Sequence, residues 1–183
     1  MIARLFRRNR PDRAVGTLYI GLVEQSRRPE FYLHCGVPDS VDGRFDMVLL
    51  HAFLLLRRLR DDAARTEAFA QALFDHMFAD MDVNLREMGV GDLSVGKKVK
   101  FMAQAFYGRA AAYEEGLRAP PGGVLADALR RNLYGTTTPV PGQVVAMESY
   151  LRRESAALAD APVESLLDGR VAFGPPPAAA DAG

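Results

Sequence analysis

The chain has 183 residues, 49% hydrophobic and 25% charged, and its 23 Lys and Arg balance its 23 Asp and Glu. This is the composition of one soluble globular domain, and it excludes a collagen, a disordered acidic chain and a multi-span membrane protein. The single cysteine, Cys35, excludes an intramolecular disulfide and a four-thiolate zinc site, and indicates a reducing compartment.

The first thirteen residues are basic, with one acid, Asp12, against five arginines: Arg4, Arg7, Arg8, Arg10 and Arg13. We expect residues 1–13 to form a basic arm that meets an anionic membrane surface or ribosomal RNA. A solvated, frayed terminus is the alternative. No long apolar stretch follows the arginines, so we expect no secretory signal. We therefore expect a cytoplasmic protein, which would be peripheral to the inner face of the membrane if the arm binds lipid.

Hydrophobic periodicity predicts six helices, over residues 12–28, 43–60, 61–88, 92–118, 124–134 and 143–159. Residues 29–41 are expected to be irregular, and residues 136–142 extended. The Pro/Ala-rich residues 171–183 are expected to be a disordered tail. The fold class is therefore all-α, with residues 14–170 as a single compact multi-helix domain.

Two of these helices have informative patterns. Residues 47–56 are apolar on every side except at His51, which is typical of a central core helix because the run is too short to span a bilayer. We expect His51 to be a core histidine with a backbone partner. Gly89 is expected to end the helix before it in a left-handed cap. In residues 92–118 the apolar positions repeat near every 3.5 residues, like the seam of a bundle.

Residues 91–97 fit the start of a phosphate-binding loop, G-x-x-x-x-G-K, but two features argue against nucleotide binding. The position that should be Ser or Thr is Lys98, and the motif follows an amphipathic helix rather than a buried strand. We interpret the segment as a helix–turn–helix connection with a basic first turn.

A metal site or an enzyme is the competing interpretation. His76 and Asp80 lie four residues apart on one helix, the spacing at which an imidazole and a carboxylate share a divalent ion. No second helix supplies a matching Glu-x-x-His motif, so a salt-bridged helix surface is the plainer reading. Cys35 has only the adjacent His34 as a candidate base, which places the ring poorly. We therefore expect no catalytic residues, metal or cofactor.

Two features favour a binding protein. All three lysines of the chain, Lys97, Lys98 and Lys100, lie at the start of the fourth predicted helix, where cations oppose the helix dipole. This local cost suggests an anionic partner, unless a nearby acid neutralises it. Methionines cluster around the same turn, and flexible thioethers suit surfaces that accept varied apolar helices. Ordinary core packing is the alternative for any one of them.

Several motifs, in order over about residues 15–155, resemble the ubiquinol–cytochrome c chaperone family. They are Gly43–His51, Asp80–Asp82, Leu85–Asp92, Val95–Lys100, Phe106–Arg109 and Ala112–Tyr113. The resemblance implies a helical, non-catalytic assembly factor of the cytochrome bc1 complex that binds newly made cytochrome b. It further implies that the protein acts beside the ribosomal exit tunnel. The mitochondrial members of the family act together with a small partner protein. The chain looks like the bacterial branch, and nothing indicates binding to DNA.

The hypothesis is a chaperone that shields transmembrane segments of cytochrome b. Motif density predicts that the client-facing surface contains Asp80, Asp82, Arg86, Gly89, Gly91 and Asp92. The local basic charge adds Lys97, Lys98 and Lys100 to the predicted partner-binding residues. Lipid headgroups or ribosomal RNA are the expected partners of the lysines and of Arg4, Arg7, Arg8 and Arg10. The alternative is a peripheral lipid-binding or metal-binding helical protein.

Overall fold

The computed structural model describes residues 2–178, and the side chains of residues 12–178. This part of the chain is helical, without a strand. The helices are α1 (Ile2–Ser26), α2 (Pro29–Leu33), α3 (Val41–Arg60), α4 (Ala63–Glu87), α5 (Asp92–Arg118), α6 (Val124–Asn132), α7 (Pro141–Asp160) and α8 (Val163–Leu167). The all-α prediction is confirmed. No helix among these residues is long and apolar enough to cross a membrane.

Helix α3 is the centre of the core, as its apolar run predicts. Its residues 47–55 are all buried, and it packs against α1, α4, α5 and α7. A helix surrounded on all sides needs apolar side chains on all sides, which explains why the run lacks the usual polar face. Ser40 caps its first turn by accepting a hydrogen bond from the backbone N–H of Gly43 at 3.1 Å.

Helices α4 and α5 form an antiparallel hairpin, which places the predicted site residues. Gly89 has φ +84°, a left-handed conformation that few other residues adopt at low cost, so it ends α4 as predicted. Val95, Phe106 and Tyr113 of α5 are buried along the predicted seam. At the far end, Gly116 lets α6 approach closely, because a Cβ there would lie 2.6 Å from the Cα of Leu125.

The structure differs from the sequence-based prediction at several boundaries. Helix α1 begins at Ile2 rather than at Asp12, so the backbone of the basic residues Arg4, Arg7, Arg8 and Arg10 is helical. The positions of those four side chains lie outside the described residues. The stretch expected to be irregular contains α2, which begins at Pro29, and α8 was not predicted. Both helices have five residues, too few for a periodic pattern.

The prediction of a disordered tail from residue 171 is wrong for its first residues. Phe173 packs its ring against His51, with 5.0 Å between the ring centroids. The backbone N–H of Gly174 donates to the buried carboxylate of Glu154 at 2.8 Å, and its carbonyl accepts from Gln25 at 2.9 Å. One aromatic ring and paired backbone groups hold this segment on α1 and α7, although its composition is Pro/Ala-rich. Residues 179–183 lie outside the described part.

Candidate functional site

An open groove of about 850 Å³ lies between α1, α3, α4 and α5, and the end of α6 contributes to it. Its apolar lining comes from all four of these long helices. The side chains are Val23, Val41, Phe45, Val48, Met81, Leu85, Met88, Phe101 and Met102. Val41, Met88 and Phe101 are 62%, 53% and 71% exposed. Apolar surface left in solvent within a concave site is typical of a surface that binds a partner.

An ion pair between α3 and α5 lies in the groove. Arg109 approaches Asp46 at 2.9 Å, and both side chains are largely buried. Burial raises the pKa of Asp46 to about 7, although Arg109 opposes this shift. Among the described residues, the Nε of Arg109 and the hydroxyl of Tyr113, one turn further along α5, are buried without a hydrogen-bond partner. The groove therefore contains a carboxyl group whose charge changes near neutral pH, beside unsatisfied polar atoms.

A second polar cluster connects α1 with α4. The hydroxyl of Tyr19 donates to Asp80 at 2.8 Å, and the amide of Asn84 donates to the same carboxylate oxygen at 3.0 Å. Burial, and then Asp80, raise the pKa of Tyr19 well above its usual value. Asp80 is thus fixed by two neutral donors, and no cation among the described residues forms an ion pair with it.

The groove is electropositive. Six basic side chains line it against three acidic ones, Asp42, Asp46 and Asp80. Arg109 pairs with Asp46, and Arg44 with Asp39. The four other basic side chains form no ion pair within the part of the chain that the structure describes, and they are Arg27, Lys97, Lys98 and Arg131. A bound segment with carboxylates or carbonyl oxygens is favoured here over a basic one.

The predicted partner-binding residues separate into two sets. Asp80, Lys97 and Lys98 line the groove. The others belong to the hairpin turn or to its outer surface. Arg86 contacts Asp82 at 2.5 Å and also pairs with Asp92, so these three side chains join the end of α4 to the start of α5.

The two glycines and the last lysine have different places. Gly89 and Gly91 form the backbone of the turn, and Gly91 immediately precedes α5. Lys100 is exposed and is not part of the groove lining. The structure therefore brings three of the nine predicted residues together in one concave site.

The sequence analysis missed Tyr19, Phe45, Asp46 and Arg109 as groove residues. A signal was available for two of them, since Asp46 lies within the Gly43–His51 motif and Arg109 ends the Phe106–Arg109 motif. Because these positions are 63 residues apart in sequence, their pairing depends on how α3 packs against α5.

The residues of the competing metal or enzyme interpretation are not assembled. His76 is exposed, and its ring packs edge-on against Tyr19, with 5.1 Å between centroids. Cys35 is fully buried, and burial raises the pKa of its thiol to about 11. No three His, Cys, Asp or Glu side chains within residues 12–178 are placed to share a metal ion. The 91–98 segment follows helix α4, not a strand.

His51 has the predicted role of a core histidine. Its Nδ1 lies 2.8 Å from the carbonyl of Met47, and its Nε2 lies 2.8 Å from the hydroxyl of Tyr150. This hydroxyl also accepts from Gln25 at 2.9 Å. Burial lowers the pKa of His51 to about 4, so the ring is neutral at physiological pH. The network joins α1, α3 and α7 inside the core.

Comparisons with known proteins agree on one family. The sequence profile described as Ubiquinol-cytochrome C chaperone matches residues 33–173. Ubiquinol-cytochrome c reductase complex assembly factor 1 of Mus musculus is 28% identical over 150 residues, covering 82% of this chain and 50% of that protein. The Homo sapiens protein of the same name is 28% identical over 159 residues, covering 86% and 53%. The chain thus spans about half the length of these relatives.

A solved structure is similar over the full length of the domain. The crystal structure of the Cbp3 homolog from Brucella abortus is 34% identical, covers 96% of this chain and 97% of its own, and superposes with a TM-score of 0.83. With the profile match over most of the chain, the protein belongs to the ubiquinol–cytochrome c chaperone family.

Proposed function

We propose that this chain is a non-catalytic assembly chaperone of the ubiquinol–cytochrome c reductase complex, and that its groove holds an apolar segment of newly made cytochrome b. The exposed apolar lining of the groove carries the proposal. The family and the names of the relatives support an assembly role. The resemblance of the sequence motifs to the family supplies cytochrome b as the client.

The groove has the properties that a temporary holder of membrane segments needs. Met81, Met88 and Met102 present flexible thioethers that adapt to different apolar surfaces. Covering an exposed side chain such as Met88 or Phe101 contributes up to about 1.5–3 kcal/mol. Because the groove is open, it covers only one side of a helix, which limits affinity and permits release.

The charge of the groove restricts which part of the client fits. Membrane segments carry Lys and Arg next to their cytoplasmic ends. Such basic flanks would be repelled by Arg27, Lys97, Lys98 and Arg131, the groove cations that form no ion pair with another described residue. We expect the groove to receive the apolar interior of a segment or an acidic flank. In this proposal the Asp82–Arg86–Asp92 cluster acts indirectly, by fixing the hairpin that forms one wall.

Capture of cytochrome b in cells tests the proposal. We would replace Met81, Met88 and Met102 with Ser, co-express the tagged chain with cytochrome b, and quantify the co-purified client and the assembled reductase complex on native gels. We expect the triple variant to recover at most one tenth of the cytochrome b that the parent chain recovers, because three apolar contacts are lost.

A matched control replaces two exposed apolar residues outside the groove, Ile20 and Val145, with Ser; they are 58% and 60% exposed. This control should capture cytochrome b as the parent does. Unfolding in urea separates lost binding from lost folding. A photo-crosslinker at Met88, with Met81 and Met102 left intact, supplies a second readout. Equal capture by the triple variant, or crosslinks that never include cytochrome b, would contradict the proposal.

A further inference from the structure

Helix α5 carries a stripe of exposed side chains, partly apolar and partly basic, on the side away from the core. Leu93, Phe101 and Tyr107 are 94%, 71% and 62% exposed. Positions 93, 97, 100, 104 and 107 recur at intervals of four and three, so they lie on one face, with Phe101 at its edge. The stripe extends over about 21 Å of helix. Lys97, Lys100 and Gln104 lie between Leu93 and Tyr107 along it, and the exposed ring of Tyr107 also stacks on Phe74 of α4, with 5.5 Å between the ring centroids.

The stripe is also cationic. Lys97 and Lys100 lie within it and Lys98 lies beside it, and none forms an ion pair with another residue of the described part. The nearby acid Asp92 already pairs with Arg86. Glu87, at the end of α4, is the remaining acid of the hairpin turn. Three ammonium groups without an ion pair among the described residues, next to exposed Leu and Phe side chains, favour a partner that is both anionic and apolar.

A bilayer surface satisfies both requirements. A helix–helix contact would bury Lys97 and Lys100 along the middle of the interface, so a protein partner would have to place an acid opposite each of them. A nucleic acid would pair with the lysines but would leave Leu93 in water. At a membrane surface the lysine stems reach up to anionic headgroups while Leu93 and Phe101 enter the acyl region.

We propose that the outward face of α5, Leu93–Lys97–Lys100–Phe101–Tyr107, binds the surface of an anionic phospholipid bilayer. Lys97 and Phe101 also line the groove, so this contact sets the groove beside the membrane surface. The proposal does not depend on the identity of the client, because Leu93 and Lys100 are outside the groove lining.

Flotation with vesicles tests the proposal. The purified full chain is mixed with phosphatidylcholine vesicles containing 0 or about 30% phosphatidylglycerol, an anionic content that attracts basic residues. We expect binding to the anionic vesicles only. Replacing Lys97 and Lys100 with Gln should weaken it roughly 30-fold, and Leu93→Ser at least tenfold.

Three matched variants decide between surfaces. Val145→Ser removes an apolar side chain that is 60% exposed on α7, and the groove variant Met88→Ser removes one from the turn after α4. Both variants should bind vesicles as the parent does. A variant with Gln at Arg4, Arg7, Arg8 and Arg10 measures how much the basic N-terminal segment contributes to vesicle binding. The proposal is overturned if only this arginine variant loses vesicle binding. It is also overturned if the lysine variant loses binding while Leu93→Ser keeps it, because attraction between the lysines and a polyanion would then explain the binding without an apolar contact. If Leu93→Ser loses vesicle binding but still captures cytochrome b in detergent, the membrane contact and the client site are separate functions of the chain.

Discussion

Two buried groups should give the stability of this protein an unusual dependence on pH. His51 has a pKa of about 4 in the folded chain, lowered by burial from 6.5. Asp46 has a pKa of about 7, raised by burial from 3.8, with Asp42 adding to the shift and Arg109 opposing it. Their titrations overlap between pH 4 and 6.5, and they act on folding in opposite directions.

The signs follow from proton binding. On unfolding below pH 6.5, His51 takes up a proton, so its contribution to stability is present above pH 6.5 and is lost as the pH falls toward 4. Unfolding below pH 7 makes Asp46 release a proton, so its contribution grows as the pH falls from 7 toward 3.8. Each group alone gives a slope of about 1.4 kcal/mol per pH unit between pH 5 and 6. Together they should nearly cancel.

Removing one group should reveal the other. For Asp46→Asn, we expect the free energy of unfolding to fall by about 1.4 kcal/mol as the pH is lowered from 6 to 5. For His51→Gln it should rise by a similar amount, from a lower starting value because the core network is broken. The parent chain should be nearly flat. Urea unfolding followed by circular dichroism at 222 nm measures all three, and the chain has no tryptophan to provide a fluorescence signal.

Asp127→Asn is the control, because it removes the same charge from the exposed surface of α6. Its slope should match that of the parent chain. If Asp46→Asn and His51→Gln also show the slope of the parent chain, burial does not shift these groups as described, and the account of the groove as holding a neutral-pH carboxyl would be refuted.

Three further outcomes are expected. Gly108→Ala should raise the free energy of unfolding by about 0.5–1 kcal/mol, because a Cβ there meets nothing within 4 Å. Gly116→Ala should lower it, because the new Cβ would collide with Leu125. Urea unfolding of both variants checks this pair of predictions. Cys35 should react with a thiol reagent only when the chain unfolds, because burial raises the pKa of its thiol to about 11; reaction rates with and without urea measure this. Phe173→Ala should lower the free energy of unfolding by about 2 kcal/mol, because the ring packs on His51 in the core. A thermal melt unchanged from the parent would show that this segment is not docked on the helices.

Long periodic elements could be predicted from the sequence because their signal is local. The apolar run of α3 and the seam of α5 each extend over several turns, so their faces are determined by residues a few positions apart. Some local signals also give wrong helix boundaries. Pro11 is typical of the first turn of a helix, but α1 continues through it from Ile2. Pro29 follows the end of α1 at Ser26 and begins α2, where its fixed φ suits the first helical position.

The groove could not be predicted in the same way, since it is a product of tertiary packing. Asp46 and Arg109 are separated by most of α3, all of α4 and half of α5, and Tyr19 and Asp80 by a similar distance in sequence. The local pattern around each of these residues does not indicate which residue of another helix it contacts. Only the packing of α1, α3, α4 and α5 places them in one concave surface.

The lysines show how one local signal can correspond to two surfaces. Lys97, Lys98 and Lys100 are nearly consecutive, and the sequence indicates a single basic patch. A helix turns by about 100° per residue, so Lys98 faces the groove with Arg109 while Lys100 faces outward with Leu93. Lys97 lies between them and borders both surfaces. Charge removal at Lys98 alone should therefore affect capture of the client, and charge removal at Lys100 alone should affect membrane binding. A cluster that acts as one unspecific basic patch would instead respond equally to both substitutions.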